Sequence, residues 1–216
     1  MRETVVFLHG IWMTGIEMAV LRRRVQGCGY DCHQFCYHSV LRTPAQNAAR
    51  LDAYLATLQA DVVHLVAHSL GGIVLLHLFD EFPMQKPGRV LMLGSPISGS
   101  SLARQLDRYA ITRPLLGRAG ERGLLGDAPR WKGTRELGVI AGNRGIGIGM
   151  LVLGNIKPPH DGTVAVTETH TSDVTVHLQV PYSHFGMLFR PAVAHAVCAF
   201  LQTGDFAFEP GDGSKG

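Results

Sequence analysis

Charge is scarce in this chain: Asp, Glu, Lys and Arg make up 17% of its 216 residues, against a hydrophobic share of 46%. A polypeptide of that composition buries enough apolar surface to fold, which excludes a mostly disordered protein. Long apolar runs are missing as well. No stretch reaches the ~18 to 20 uninterrupted apolar residues that cross a bilayer, and residue 5 already lies in a strand-like run rather than behind a basic segment. Neither a membrane span nor an export signal is therefore expected. Cysteine is rare, with four in all, and Cys28, Cys32 and Cys36 crowd within nine residues while Cys198 stands alone. That distribution suits free thiols in a reducing compartment better than a disulfide framework, and the expected location is cytoplasmic. A dense basic face is absent too. The formal net charge of +3 is too small for counterion-driven nucleic-acid binding.

Two further signals fall away on spacing. Cys28, Cys32 and Cys36, with His33 and His38 near them, lack the distant second ligand pair of a structural zinc site, so no metal is expected and packed thiols are the better reading. Gly145-Ile-Gly-Ile-Gly149 lacks the G-x-G-x-x-G spacing and following helix of a nucleotide loop. There is no internal repeat. The length fits one large domain better than two small ones, and we place it at 1–202. The glycine-rich, charged residues 203–216 form a tail expected to fray.

What is present is an alternation. Thr4 to Leu8 is a continuous apolar and β-branched run ending at His9-Gly10, the pattern of a buried parallel strand. Ile16 to Val25 carries helical spacing, Tyr30 to Tyr37 reads as a second strand, and Pro44 opens a helix over Ala45 to Leu58 with Ala48, Leu51, Leu55 and Leu58 on one face. Asp61 to Ala67 is the third strand, Gly71 to Phe82 its helix, and Arg89 to Leu93 the fourth strand, stopped by Gly94-Ser95-Pro96. The pattern returns at Leu137 to Ala141 and Val174 to Val180, and closes with a helix from Pro191 to Leu201. The fold class is α/β: about six mostly parallel strands with helices on both faces. Between the fourth and fifth strands, residues 98–136 break the alternation. This insertion holds eight Lys or Arg against four acids, a surplus of four. Leu102, Leu106, Tyr109, Leu115 and Leu116 give it the apolar underside of a lid or cap.

The stretch Val62-Val-His-Leu-Val-Ala-His-Ser-Leu-Gly-Gly72 carries the chemistry. An apolar strand stops at Ser69 and a helix follows at once, with small Ala67 and Gly71 on either side, which is the pattern of a nucleophile elbow. A serine hydroxyl needs a base, and His184, after the last strand and before the closing helix, is the best placed of eleven histidines. His64 and His77 read as structural, and His68 is expected to point away from the site. The base in turn needs a buried acceptor, and Asp161, in the loop after the fifth strand, completes the chain order Ser, Asp, His. Asp173 is the runner-up, at the opposite end of the sheet. Two backbone N–H groups, of Ile11 and Leu70, are expected to hold the oxyanion. Trp12, Met13, Ile146 and Ile148 are expected to border the substrate pocket.

With these residues assembled, the chain resembles the α/β-hydrolase superfamily, and most closely the small bacterial lipases and esterases that carry A-H-S-X-G at the elbow. Phe7-Leu-His-Gly-Ile11 matches the oxyanion loop, Ala67-His-Ser-Leu-Gly71 the elbow, Asp161-Gly-Thr-Val164 the acid loop, and His184 with Gly186 the histidine loop. The resemblance implies an α/β-hydrolase fold and a carboxylic ester hydrolase working through an acyl-enzyme, with no metal or organic cofactor. A small-molecule or lipid-like ester is the implied partner, with no nucleic acid and no integral membrane association. Acyl transfer through the same triad, and a non-catalytic binding protein on the same fold, are the alternatives. Oligomeric state is not legible.

Overall fold

The computed structural model describes residues 2–145 and 156–207. Six strands, β1 (Glu3–Leu8), β2 (Asp31–Phe35), β3 (Val62–His68), β4 (Val90–Leu93), β5 (Leu137–Gly142) and β6 (Val176–Val180), form one sheet in the order β2-β1-β3-β4-β5-β6. All five pairings are parallel, so the sheet expected from the alternation of strand and helix is present. From β1 the chain crosses to one edge, and from β3 it crosses to the other. The crevice beyond the carboxyl ends of β1 and β3 is therefore the topological switch point, where open α/β sheets place their ligands.

Residues alternate along each strand between two cores. Val6, Leu8, Leu65, Ala67 and Met92 meet α2 (Pro44–Thr57) and α3 (Leu70–Glu81) on one face. Val5, Phe7, Val66, Leu91 and Leu93 meet α1 (Ala19–Gln26) and the closing helix α5 (Pro191–Thr203) on the other. The helices begin where the sequence says they should. Thr43 Oγ1 accepts from the Gln46 N–H and Gln46 Oε1 accepts from the Thr43 N–H, so two orphan donors at the start of α2 are satisfied reciprocally behind Pro44. Within the insertion, α4 (Ser101–Arg108) turns Ala103 and Leu106 into the α2–α3 core, followed by buried Leu116, Ala119 and Leu124. Tyr109 and Leu115, expected on an apolar underside, are instead exposed.

One expectation is overturned. Cys28, just beyond α1, forms a disulfide with Cys198 in α5, across a sequence separation of 170. The three-cysteine cluster misled because α1 ends at Gln26 and the chain then departs along β2, so Cys28 faces α5 rather than its sequence neighbours. Cys32 and Cys36 stay free, and burial pushes the Cys32 thiol up to about 11. With one pair oxidised, the thiol argument for a reducing compartment is withdrawn. Among the described residues, no helix is long and apolar enough to cross a membrane, and no group of three or more His, Cys, Asp or Glu is placed to hold a metal ion.

Candidate active site

The strand β3 carries its ladder one residue past its end, because the Ser69 N–H donates to the Leu93 carbonyl at 2.9 Å. At Ser69 the backbone then turns sharply, with φ 54° and ψ −121°, and α3 starts at the next residue. A side-chain-bearing residue held at positive φ costs of order 1–3 kcal/mol and persists only where its surroundings dictate it. Here they do: the first turn of α3 lies so close to β1 that a Cβ at Gly71 would fall 2.9 Å from the Leu8 carbonyl oxygen. The strained elbow is thus a consequence of close helix–strand packing, and it stands Ser69 at the switch point.

Asp161 and His184 meet above the neighbouring strand ends. Both are buried, and His184 Nδ1 lies 2.6 Å from Asp161 Oδ2. A carboxylate oxygen accepts, so Nδ1 carries the proton and Nε2 is left with its lone pair free, the tautomer a general base requires. The other carboxylate oxygen, Oδ1, accepts the N–H groups of Thr163 at 2.9 Å and Val164 at 2.7 Å, so the acid is oriented by its own turn. The His184 N–H also donates to the Asp161 carbonyl at 2.9 Å. The acid loop is tied onward to the insertion. The buried Glu168 carboxylate accepts from the Ala165 N–H at 3.0 Å and from the Ser101 N–H, the first residue of α4, at 2.5 Å.

Glycine at 94 is what admits the pair. It follows β4 with φ 56°, and a Cβ there would lie 3.0 Å from His184 Nδ1 and 3.1 Å from Asp161 Oδ2. Since His68 of β3 pairs with Leu93 of β4, Gly94 is the lateral neighbour of Ser69, and the imidazole–carboxylate pair rests on the strand end beside the nucleophile candidate. Among the described residues, no hydrogen bond joins Ser69 Oγ to His184. Such contacts are often long before substrate binds.

The expected oxyanion donors flank the same point. Leu70 is the first residue of α3, where helix geometry leaves N–H groups without intrahelical acceptors and the helix dipole adds partial positive charge. Ile11 lies in the turn after β1, and a Cβ at Gly10 would be 3.1 Å from Ser69 Cβ, which puts the turn directly against the elbow. Neither N–H is taken by a protein acceptor among the described residues. The turn is braced from several sides. Met13 Sδ accepts the Gly10 N–H at 3.1 Å, Ser39 Oγ accepts the Trp12 N–H at 3.1 Å, and Tyr37 donates its hydroxyl to the His9 carbonyl at 2.6 Å. His9 itself is buried and stacked on Tyr37, and burial holds its imidazole below the usual histidine range.

Of the pocket residues expected from sequence, Trp12 and Met13 line a cavity of about 390 Å³ with His9, Tyr37, His38 and Leu41, beside the oxyanion turn. Trp12 is at positive φ and 56% exposed, and its indole N–H donates to the Leu115 carbonyl at 2.8 Å, joining this turn to the insertion. Ile146 and Ile148 lie outside the described residues. His64 and His77 are structural as expected, bonded to the Arg89 N–H and the Arg122 carbonyl respectively. The expectation for His68 is corrected. Its ring does not point away from the site but lies 4.5 Å from that of His184, and its Nε2 bonds the His184 carbonyl at 3.1 Å. Strand alternation puts His68 on the face opposite Ala67 and the α2–α3 core, and the loop that carries His184 folds over that face.

The model of a family described as alpha/beta hydrolases matches residues 5–206. Among solved structures, the mature lipase BlEst2 of Bacillus licheniformis is 18% identical, with 95% of this chain and 93% of that chain covered and a TM-score of 0.68. A metagenomic carboxyl esterase, MGS0156, is 18% identical over 85% of this chain and 64% of that one, with a TM-score of 0.64. The phospholipase PlaB of Legionella pneumophila, in complex with thio-NAD, is 18% identical over 91% and 56%, with a TM-score of 0.68. A comparison with curated protein sequences returns no match. At these identities the solved structures speak to the fold alone.

Proposed function

We propose, from the premise that this chain belongs to the alpha/beta hydrolase family, that it is a serine hydrolase that cleaves carboxylic esters through an acyl-enzyme. The observation that carries this reading is the buried His184–Asp161 pair resting on the strand end next to the positive-φ Ser69. The esterase, lipase and phospholipase structures that share the fold favour an ester as substrate, small or lipid-like.

In this reading Ser69 Oγ attacks the ester carbonyl while His184 Nε2 takes its proton, and Asp161 stabilises the imidazolium that results. The oxygen that becomes negative is held by the N–H groups of Ile11 and Leu70, an arrangement in which loss of one donor typically costs ~10² to 10³ in rate. His184 then returns the proton to the leaving alcohol. Water, activated by the same imidazole, attacks the acyl-enzyme, and the acid departs with Ser69 regenerated. The cavity beside Trp12 and Met13 takes one side of the substrate, and the insertion of residues 98–136 is tied to that turn through the Trp12–Leu115 bond. No metal or organic cofactor enters this scheme.

The test is turnover of short and long p-nitrophenyl esters and labelling by a fluorophosphonate, for wild type and Ser69→Ala. Wild type is expected to hydrolyse the ester and to be labelled at Ser69. The variant is expected to lose label altogether and to lose about 10⁴- to 10⁶-fold in kcat, the scale seen when a triad member is removed. An unlabelled wild type would instead favour a binding protein on this fold, and equal turnover by Ser69→Ala would assign the nucleophile elsewhere.

A further inference from the structure

We propose that His68 is a positioning residue that locks the base loop onto the nucleophile elbow through a single hydrogen bond, from its Nε2 to the backbone carbonyl of His184. The proposal rests on the roles of Ser69 and His184 stated above.

His68 is the last residue of β3 and the chain neighbour of Ser69, and its side chain is fully buried. A carbonyl oxygen can only accept, so the 3.1 Å contact requires the proton to sit on His68 Nε2. That leaves Nδ1 bare. It has no hydrogen-bond partner, and it faces the oxyanion turn, 3.2 Å from where a Cβ at Gly10 would stand. A second proton would have no acceptor there and would put a cation 4.5 Å from the His184 ring. Burial, reinforced by His184, accordingly holds His68 well below the ordinary histidine range. The ring is thus neutral and fixed in one tautomer, and its one donor is committed to His184.

The importance of that donor follows from how His184 is held. Its N–H donates to the Asp161 carbonyl, its Nδ1–H donates to the Asp161 carboxylate, and its carbonyl accepts from His68. Two of these anchors belong to the acid loop and only the third belongs to the strand that bears the nucleophile. Without it, His184 and Asp161 stay paired but are free to shift together relative to Ser69. A displacement of 1 Å between reacting groups is enough to cost about 10²-fold in rate.

Three variants separate this role from mere core filling. His68→Gln keeps an N–H₂ donor within reach of the carbonyl, His68→Asn is an amide too short to reach it, and His68→Leu is apolar and close in volume. All three are assayed for p-nitrophenyl acetate hydrolysis and fluorophosphonate labelling well below their measured melting temperatures. We expect Leu and Asn to lower kcat and the labelling rate about 10- to 100-fold with KM within about twofold, and Gln to recover most of the loss. Equal activity of Gln and Asn, or a Leu variant labelled at the wild-type rate, overturns the proposal. If Leu does not fold, the Gln and Asn pair decides alone. Failure of the wild type to be labelled at Ser69 would be a different result, directed at the serine-hydrolase reading itself.

Discussion

A methyl group added at Gly94 would meet His184 Nδ1 at 3.0 Å and Asp161 Oδ2 at 3.1 Å, on a backbone already at φ 56°. Both effects act against Gly94→Ala. The left-handed conformation costs a non-glycine residue roughly 1–2 kcal/mol, so the melting temperature is expected to fall by several degrees. The imidazole cannot stay where it is, so kcat is expected to drop about 10²-fold while KM changes little. Kinetics and thermal melts on one preparation check both. Wild-type kcat in a destabilised Gly94→Ala would show that the imidazole need not sit where it does. At this scale the site depends as much on a missing side chain as on the side chains that react.

The helices α1 and α5 are adjacent only in space, and the Cys28–Cys198 bridge ties them across 170 residues of sequence. Each helix lies next to a part of the candidate site: α1 comes after the turn that follows β1, and α5 comes after the loop that carries His184. Closing so long a loop removes much of the freedom of the unfolded chain, typically worth about 2–4 kcal/mol. Cys28→Ser with Cys198→Ser, or reduction of the wild type, is expected to lower the unfolding free energy measured by urea titration by that amount. A direct count comes from thiol titration of the denatured protein. Two reactive thiols, from Cys32 and Cys36, are expected without reductant and four after reduction. Four from the start would mean that the bridge does not form in the preparation.

Across the molecule, burial lowers four histidines among the described residues, His9, His64, His68 and His177, below the usual value of 6.5. Above about pH 6.5 neither the folded nor the unfolded chain protonates them, and they leave stability unchanged. Below it the unfolded chain takes up protons that the folded chain refuses, so stability is lost progressively as pH falls. Urea midpoints measured from pH 7.5 down to 5 are expected to decline, and His64→Gln, which cannot titrate, to flatten the decline. A midpoint that stays level over this range would mean that these imidazoles are not held neutral by the fold.

The α/β alternation and the sharp strand-to-helix turn at Ser69 were legible in the sequence because each is written locally, and Asp161 and His184 were named as candidates from the loops that carry them. A strand announces itself by a run of apolar residues, a helix by its period and cap, and an elbow by small residues around a serine. The disulfide, the grip of His68 on His184, the bond from Trp12 to Leu115 and the exposure of Tyr109 and Leu115 were not legible. Each depends on which segments far apart in sequence become neighbours, and that is decided by the order of strands in the sheet and by the loops folded over its edge. Residue types and their spacing determined the order of strands and helices along the chain and which side chains are available as candidates for chemistry. The distances at which Asp161, His184 and His68 hold one another came only from packing two helical layers against one sheet and folding its loops over the strand ends.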